Sequence, residues 1–139
     1  MKVVTILMVL FLATHAQAAE LIVAEGALHG GNYAPKDTAS GRVSLVKLDS
    51  GTYELRLNSN FNTTPGPDLF VYFSASEDPH DATSITNNAS FEAGKLGSPS
   101  GEQKLALPNS FDPTKFRSVA IWCKQYTILF GAAPLKKHQ

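Results

Sequence analysis

The sequence predicts an all-β fold: a single domain built as an antiparallel β-sandwich or barrel of short strands. Short segments rich in Val, Leu, Ile, Phe and Tyr recur along the chain, and turn chemistry built on Gly, Pro, Asp and Ser separates them. No stretch sustains the periodicity of an amphipathic helix. Many short strands at regular spacing are the mark of sandwiches and barrels.

The N-terminus reads as an export signal rather than as part of the fold. Met1-Lys2 gives a positive start, residues 3–13 are a mostly apolar run, and Ala16-Gln17-Ala18 carries the small residues of a cleavage site. We therefore expect a signal peptide over 1–18 and a mature β domain over 19–139, secreted or periplasmic. The apolar run is shorter than the roughly 20 residues a spanning helix needs, so no membrane span is expected in the mature chain. No cysteine stands directly after the cleavage site, where Ala19 and Glu20 follow, which argues against lipidation. The mature length is near that of one compact domain.

The strands follow in order. Residues 42–48 and 52–57 flank Asp49-Ser50-Gly51, and in the second run Tyr53, Leu55 and Leu57 alternate with Thr52, Glu54 and Arg56, the pattern of a hairpin. Residues 69–74, Leu-Phe-Val-Tyr-Phe-Ser, are apolar on both faces, as a central strand requires. Residues 76–88 turn polar and read as a surface excursion without a regular element. A short strand is expected over 91–96, a turn at Gly97-Ser-Pro-Ser-Gly101, and a strand over 103–107 stopped by Pro108. Residues 118–123 and 126–130 are the last two strand runs, or one strand with a bulge at Lys124-Gln125. Phe111, Trp122, Tyr126 and Phe130 read as core aromatics.

Composition and motifs exclude several functions. The 12 basic and 12 acidic residues balance, leaving no concentrated basic surface for nucleic acid. Lys136-Lys137-His138 reads as a solvated tail. There is no Gly-x-Ser-x-Gly elbow, no His-Glu-x-x-His and no phosphate-cradling glycine loop, so nothing marks a hydrolase or a transferase. The absence of Cys-x-x-Cys-His excludes a c-type haem. His29, His80 and His138 stand far from Cys123 in sequence, and none follows it as the ligand loop of a blue-copper site would demand. Each reads as a solvated loop histidine, and Glu77, Asp78 and Asp81 lack calcium-loop spacing.

The chain's single cysteine, Cys123, is the residue to explain. An exported protein has no stable place for an exposed free thiol, so a lone cysteine is either buried or used. Strand alternation puts Cys123 on one face with Val119 and Ile121, and Trp122 on the other with Ala120 and Lys124. An apolar face favours a buried, inert sulfur, whereas the neighbouring Lys124 would activate a thiol at the strand end. Pro65-Gly66-Pro67-Asp68 sets a sharp loop into the central strand, with Asp68 expected to accept bonds from nearby backbone amides.

Taken in order, Ser40-Gly41-Arg-Val, Tyr53-Glu-Leu-Arg-Leu57, Asn60-Phe61, Gly66-Pro67-Asp68-Leu-Phe-Val-Tyr-Phe-Ser74, Leu96-Gly97, Gly101-Glu-Gln103, Leu107-Pro108, Ser118-Val-Ala-Ile-Trp-Cys-Lys124 and Phe130-Gly131-Ala132 resemble the DM-thirteen domain. This is a family catalogued as electron transfer and known from Skeletor-type proteins. The resemblance covers nearly all of the mature region and is carried above all by the Gly-Pro-Asp loop and the Trp-Cys strand. It implies an all-β domain with a redox role centred on Cys123, as a bare thiol or as a ligand to a prosthetic group, with Trp122, Lys124 and Asp68 as supporting residues. It also implies a redox partner protein. The family's pattern places a histidine before the Ser-Gly step, where this chain has Lys36-Asp37-Thr38-Ala39; the cofactor is left unknown, with haem and copper both open but neither supported by the ligand inventory. The alternative is a cofactor-free β-sandwich that binds a protein or small ligand through the loops at 65–68 and 76–88, with Cys123 filling the core.

Overall fold

The computed structural model describes residues 19–31 and 38–139; the predicted signal peptide lies outside these residues. In chain order the strands are β1 (Leu21–Ala27), β2 (His29–Gly30), β3 (Ala39–Ser40), β4 (Arg42–Lys47), β5 (Tyr53–Leu57), β6 (Asn62–Thr63) and β7 (Leu69–Ser74). A helical turn, α1 (Ala82–Thr86), follows, then β8 (Ser90–Lys95), β9 (Gln103–Ala106), β10 (Ser118–Cys123), β11 (Ile128–Pro134) and β12 (Lys136–Lys137). Two five-stranded sheets form, in the orders β12-β1-β4-β5-β9 and β2-β11-β10-β7-β8, and β3 pairs with β6. Every pairing is antiparallel. The all-β expectation holds, and the architecture is a sandwich. No helix among the described residues is long and apolar enough to cross a membrane.

The hairpin read from 42–57 is β4–β5, with Lys47 opposite Tyr53. Its turn closes on Gly51 at φ +83°, a left-handed backbone that glycine adopts without a Cβ clash. Leu55 and Leu57 are fully buried, while Arg56 points outward to the carboxylates of Glu54 and Glu20 at 2.7 and 2.8 Å. This is period-two alternation on a half-buried sheet.

Within the second sheet β10 is buried on both faces and β7 is buried on one and half-buried on the other, which explains their continuous apolar runs. All six residues of β10 are buried. Val119, Ile121 and Cys123 face the core between the sheets, with Leu69, Val71 and Phe73 of β7. Ala120 and Trp122 face the other way, where Ile85 of α1 caps a smaller apolar cluster with Leu129 and Ala132. Asp81 begins α1 by accepting from the Ser84 backbone N–H at 2.9 Å, so the polar excursion does hold one regular element.

Several local expectations change. Residues 124–127 are a hairpin turn between β10 and β11, with Thr127 at φ +55°. The bulge lies further on: Ile121 pairs with Gly131 but Trp122 with Leu129, leaving Phe130 as the extra residue. Tyr126 sits in the turn and is 59% exposed, because the chain reverses there. The C-terminal lysines form edge strand β12 against β1, and the His138 backbone N–H donates to Val23. β1, which shows no alternation in sequence, pairs with β4 through a register shift between Ile22 and Ala24.

Candidate functional site

Cys123 ends β10 with its sulfur in the core. It is 1% exposed, unpaired with any other cysteine, and flanked in register by Leu69 on β7 and Ile128 on β11. Alternation along the strand thus places the thiol as the sequence predicts. Lys124 does not reach it. Its ammonium donates to Glu92 Oε2 at 2.8 Å and lies 4.8 Å from the centroid of Phe70, outside the sandwich. The cation expected to activate the thiol is engaged on the opposite face.

That outer face carries a small polar network beside Trp122. The Tyr72 hydroxyl donates to the same Glu92 oxygen at 2.7 Å, and the Tyr72 ring stands 6.5 Å from Trp122. Hydrogen bonds from Lys124 and then Tyr72 hold the Glu92 carboxyl below its usual value against its partial burial. Burial first, then the bond and charge of Glu92, push Tyr72 up to about 12. A proton held more tightly in the folded state stabilises fully below the ordinary tyrosine value of 10.0, and that stability is lost as pH rises through about 12. Titrating phenolate absorbance should therefore show a late-ionising tyrosine. Glu92→Gln should bring it part of the way back toward 10.0, and no change on that substitution would refute the assignment.

Asp68 stands at the entry to β7. Its backbone carbonyl, not its carboxylate, makes the local bond, accepting from the Lys124 N–H at 3.0 Å. Its side chain accepts no hydrogen bond from the described residues, contrary to the expectation for that loop. The rigid Pro65-Gly66-Pro67 segment instead forms one wall of a cleft of about 200 Å³, with Leu96 and Pro99 opposite. Leu69, the cross-strand neighbour of Cys123, lines this cleft, so one side chain separates it from the cysteine's position in the sheet.

A second constellation assembles only in the folded chain. His29 Nε2 lies 2.7 Å from Asp78 Oδ1, and His80 Nε2 lies 3.1 Å from Asp78 Oδ2. The two imidazoles stack with centroids 4.7 Å apart and planes 22° from parallel. Partial burial pushes the Asp78 carboxyl up, but the hydrogen bonds from His29 and His80 outweigh it and hold the group below its usual value. His29 and Asp78 are 49 positions apart, and the pairing of β2 with β11 brings them together. The one local signal in the sequence is Asp78-Pro79-His80 itself, two ligand-type side chains spaced by a rigid residue.

These placements test the groups that electron transfer commonly uses. Among the described residues no histidine accompanies Cys123: His29 and His80 meet at Asp78, and His138 Nε2 lies 3.0 Å from Glu25 Oε2. The residues around the thiol therefore do not fit a haem or a copper ion ligated by Cys123. Fold and site together define a two-sheet antiparallel β-sandwich with one cysteine sealed at the end of an interior strand. Residues 32–135 match the family described as Electron transfer DM13, and the chain belongs to it. No curated protein and no solved structure matches.

Proposed function

We propose that this chain is an exported electron-transfer module that exchanges electrons with a partner protein, with the Cys123 thiol as its redox-responsive group. Membership of the electron-transfer family carries this reading. The position of Cys123 at a strand end, one residue behind an open cleft, supports it. Residues 1–18, with their signal-like pattern, support export.

The chemistry is constrained by the single cysteine, which cannot close a disulfide within this chain. Thiol–disulfide exchange supplies a balanced step. The Cys123 thiolate attacks one sulfur of a partner's disulfide, that S–S bond breaks, and the second partner sulfur leaves as a thiolate. At 1% exposure the sulfur meets no partner in the closed sandwich, so exchange requires the β10–β11 turn to open locally.

Titration of the full chain with an alkylating reagent, before and after unfolding, tests this. Slow native labelling that completes on unfolding is expected, with a mixed disulfide forming at Cys123 on incubation with a small-molecule disulfide. Complete protection until denaturation, with no mixed disulfide, would sink the assignment of Cys123 as a working thiol.

The near-total burial of Cys123 favours a second reading, in which the sulfur fills the core and the loops at 65–68 and 76–88 bind a protein or a small ligand. Cys123→Ser then costs about 1–3 kcal/mol from a buried, unmatched hydroxyl and leaves binding through the loops intact.

A further inference from the structure

We infer that His29, Asp78 and His80 form a binding site for a divalent late-transition ion, zinc or copper, on the surface of the second sheet. The site is independent of the Cys123 reading. Asp78 follows the end of β7 at Ser74, whereas Cys123 pairs with Leu69 at the start of that strand.

The donor set suits such an ion. His29, Asp78 and His80 each offer one ligand atom, and these atoms lie within 4.8 Å of one another. Two imidazole nitrogens and one carboxylate oxygen are the donors of many zinc centres that keep an open fourth position. Imidazole donors select zinc and copper over magnesium and calcium, which take oxygen ligands.

The tautomer of His29 sharpens the case. Its Nδ1 lies 2.8 Å from the Gly30 carbonyl, an atom that can only accept, so Nδ1 carries a proton. In the neutral ring the Nε2 lone pair then faces a carboxylate oxygen 2.7 Å away, two acceptors opposed. A backbone carbonyl that fixes the ring in this way is the usual outer support of a metal-ligating histidine. A positive charge is needed between Nε2 and Asp78, and it is either a proton or a metal ion. His80 Nε2 faces the other oxygen of Asp78, and its Nδ1, free of the carbonyl bond that fixes His29, lets the ring meet that oxygen as a neutral Nε2–H donor or as a ligand. One divalent ion shared by both rings supplies the charge that His29 calls for and takes its donors from all three side chains.

The site is also held in place. Pro79, between the two loop ligands, is fully buried and anchors the segment. Immediately beyond His80, Asp81 caps α1, and Ile85 of α1 is buried beside Trp122. His29 is fixed by the pairing of β2 with β11, opposite Ala132. The ligands are exposed, with side-chain accessibilities of 32% for His29, 48% for Asp78 and 69% for His80, so an ion can enter and its remaining positions face solvent.

Titration of the metal-free full chain with Zn²⁺ and Cu²⁺, against a chromophoric indicator, tests the inference. One ion per chain is expected, with a rise in melting temperature as free Zn²⁺ increases, while Mg²⁺ and Ca²⁺ compete for neither. Cobalt substitution should give ligand-field bands that disappear in the variants. His80→Ala, which removes the most exposed ligand and spares the fold, should weaken binding at least tenfold, and Asp78→Asn should weaken it similarly. His138→Ala, which breaks the separate pair with Glu25, should leave it unchanged. No binding of either ion, or equal losses in His80→Ala and His138→Ala, would overturn the assignment.

Discussion

Phe73→Ala is expected to destabilise the protein by about 3–5 kcal/mol, with the denaturation midpoint falling and the slope little changed. Phe73 is wholly buried on β7, and its ring lies 4.7 Å from Phe111 and 5.9 Å from Phe116. Phe91 closes the group, 5.2 Å from Phe111, so four aromatic rings from β7, β8 and the segment before β10 share one volume. Removing the Phe73 ring forfeits its burial and leaves a cavity bordered by sheet residues and by the rings of Phe111 and Phe116. Such walls relax little, which puts the loss toward the upper end of the range. Phe73→Leu keeps most of the volume and should lose less. A loss below about 1 kcal/mol for the alanine variant would mean that the rings collapse into the space, against the packing described.

Phe73 illustrates what the sequence discloses. Residues 69–74 are apolar at every position but the last, and only a strand covered on both faces tolerates that pattern. The structure gives the two covers: the partner sheet over Leu69, Val71 and Phe73, and α1 with Trp122 over the Tyr72 face. The orientation of Cys123 was legible for the same reason, since alternation is a property of the extended chain alone. The destination of the Lys124 ammonium was not, because it depends on Glu92, which comes from a strand 32 positions away in the chain. β1 is not legible in the sequence because Leu21 and Ile22 are exposed near its start and a bulge at Val23 breaks the alternation. The His29–Asp78–His80 cluster depends on which strands become neighbours. Spacing along the chain shows only the Asp78-Pro79-His80 part of it, and histidines so far apart read as solvated loop residues.

Gly131→Ala is expected to cost about 3 kcal/mol, the upper end of ordinary overpacking, and to weaken any ion held at His29. A Cβ at this position would stand 2.4 Å from the Cβ of Ala39 and 2.6 Å from the carbonyl oxygen of His29. Both neighbours belong to ordered strands, β3 and β2, and neither is the tip of a flexible side chain. Glycine is required here for close approach of backbones, not for a left-handed conformation. The clash can be relieved only by lifting β2 or β3 off β11. Lifting β2 breaks the pairing of Gly131 with Gly30 and carries the His29 ring away from Asp78. The thermal midpoint and the zinc titration should therefore fall together in this variant, whereas His80→Ala should lose zinc with its metal-free midpoint nearly unchanged. If Gly131→Ala keeps full zinc affinity while losing stability, the strain is released through β3 instead, and β11 does not position the site through β2.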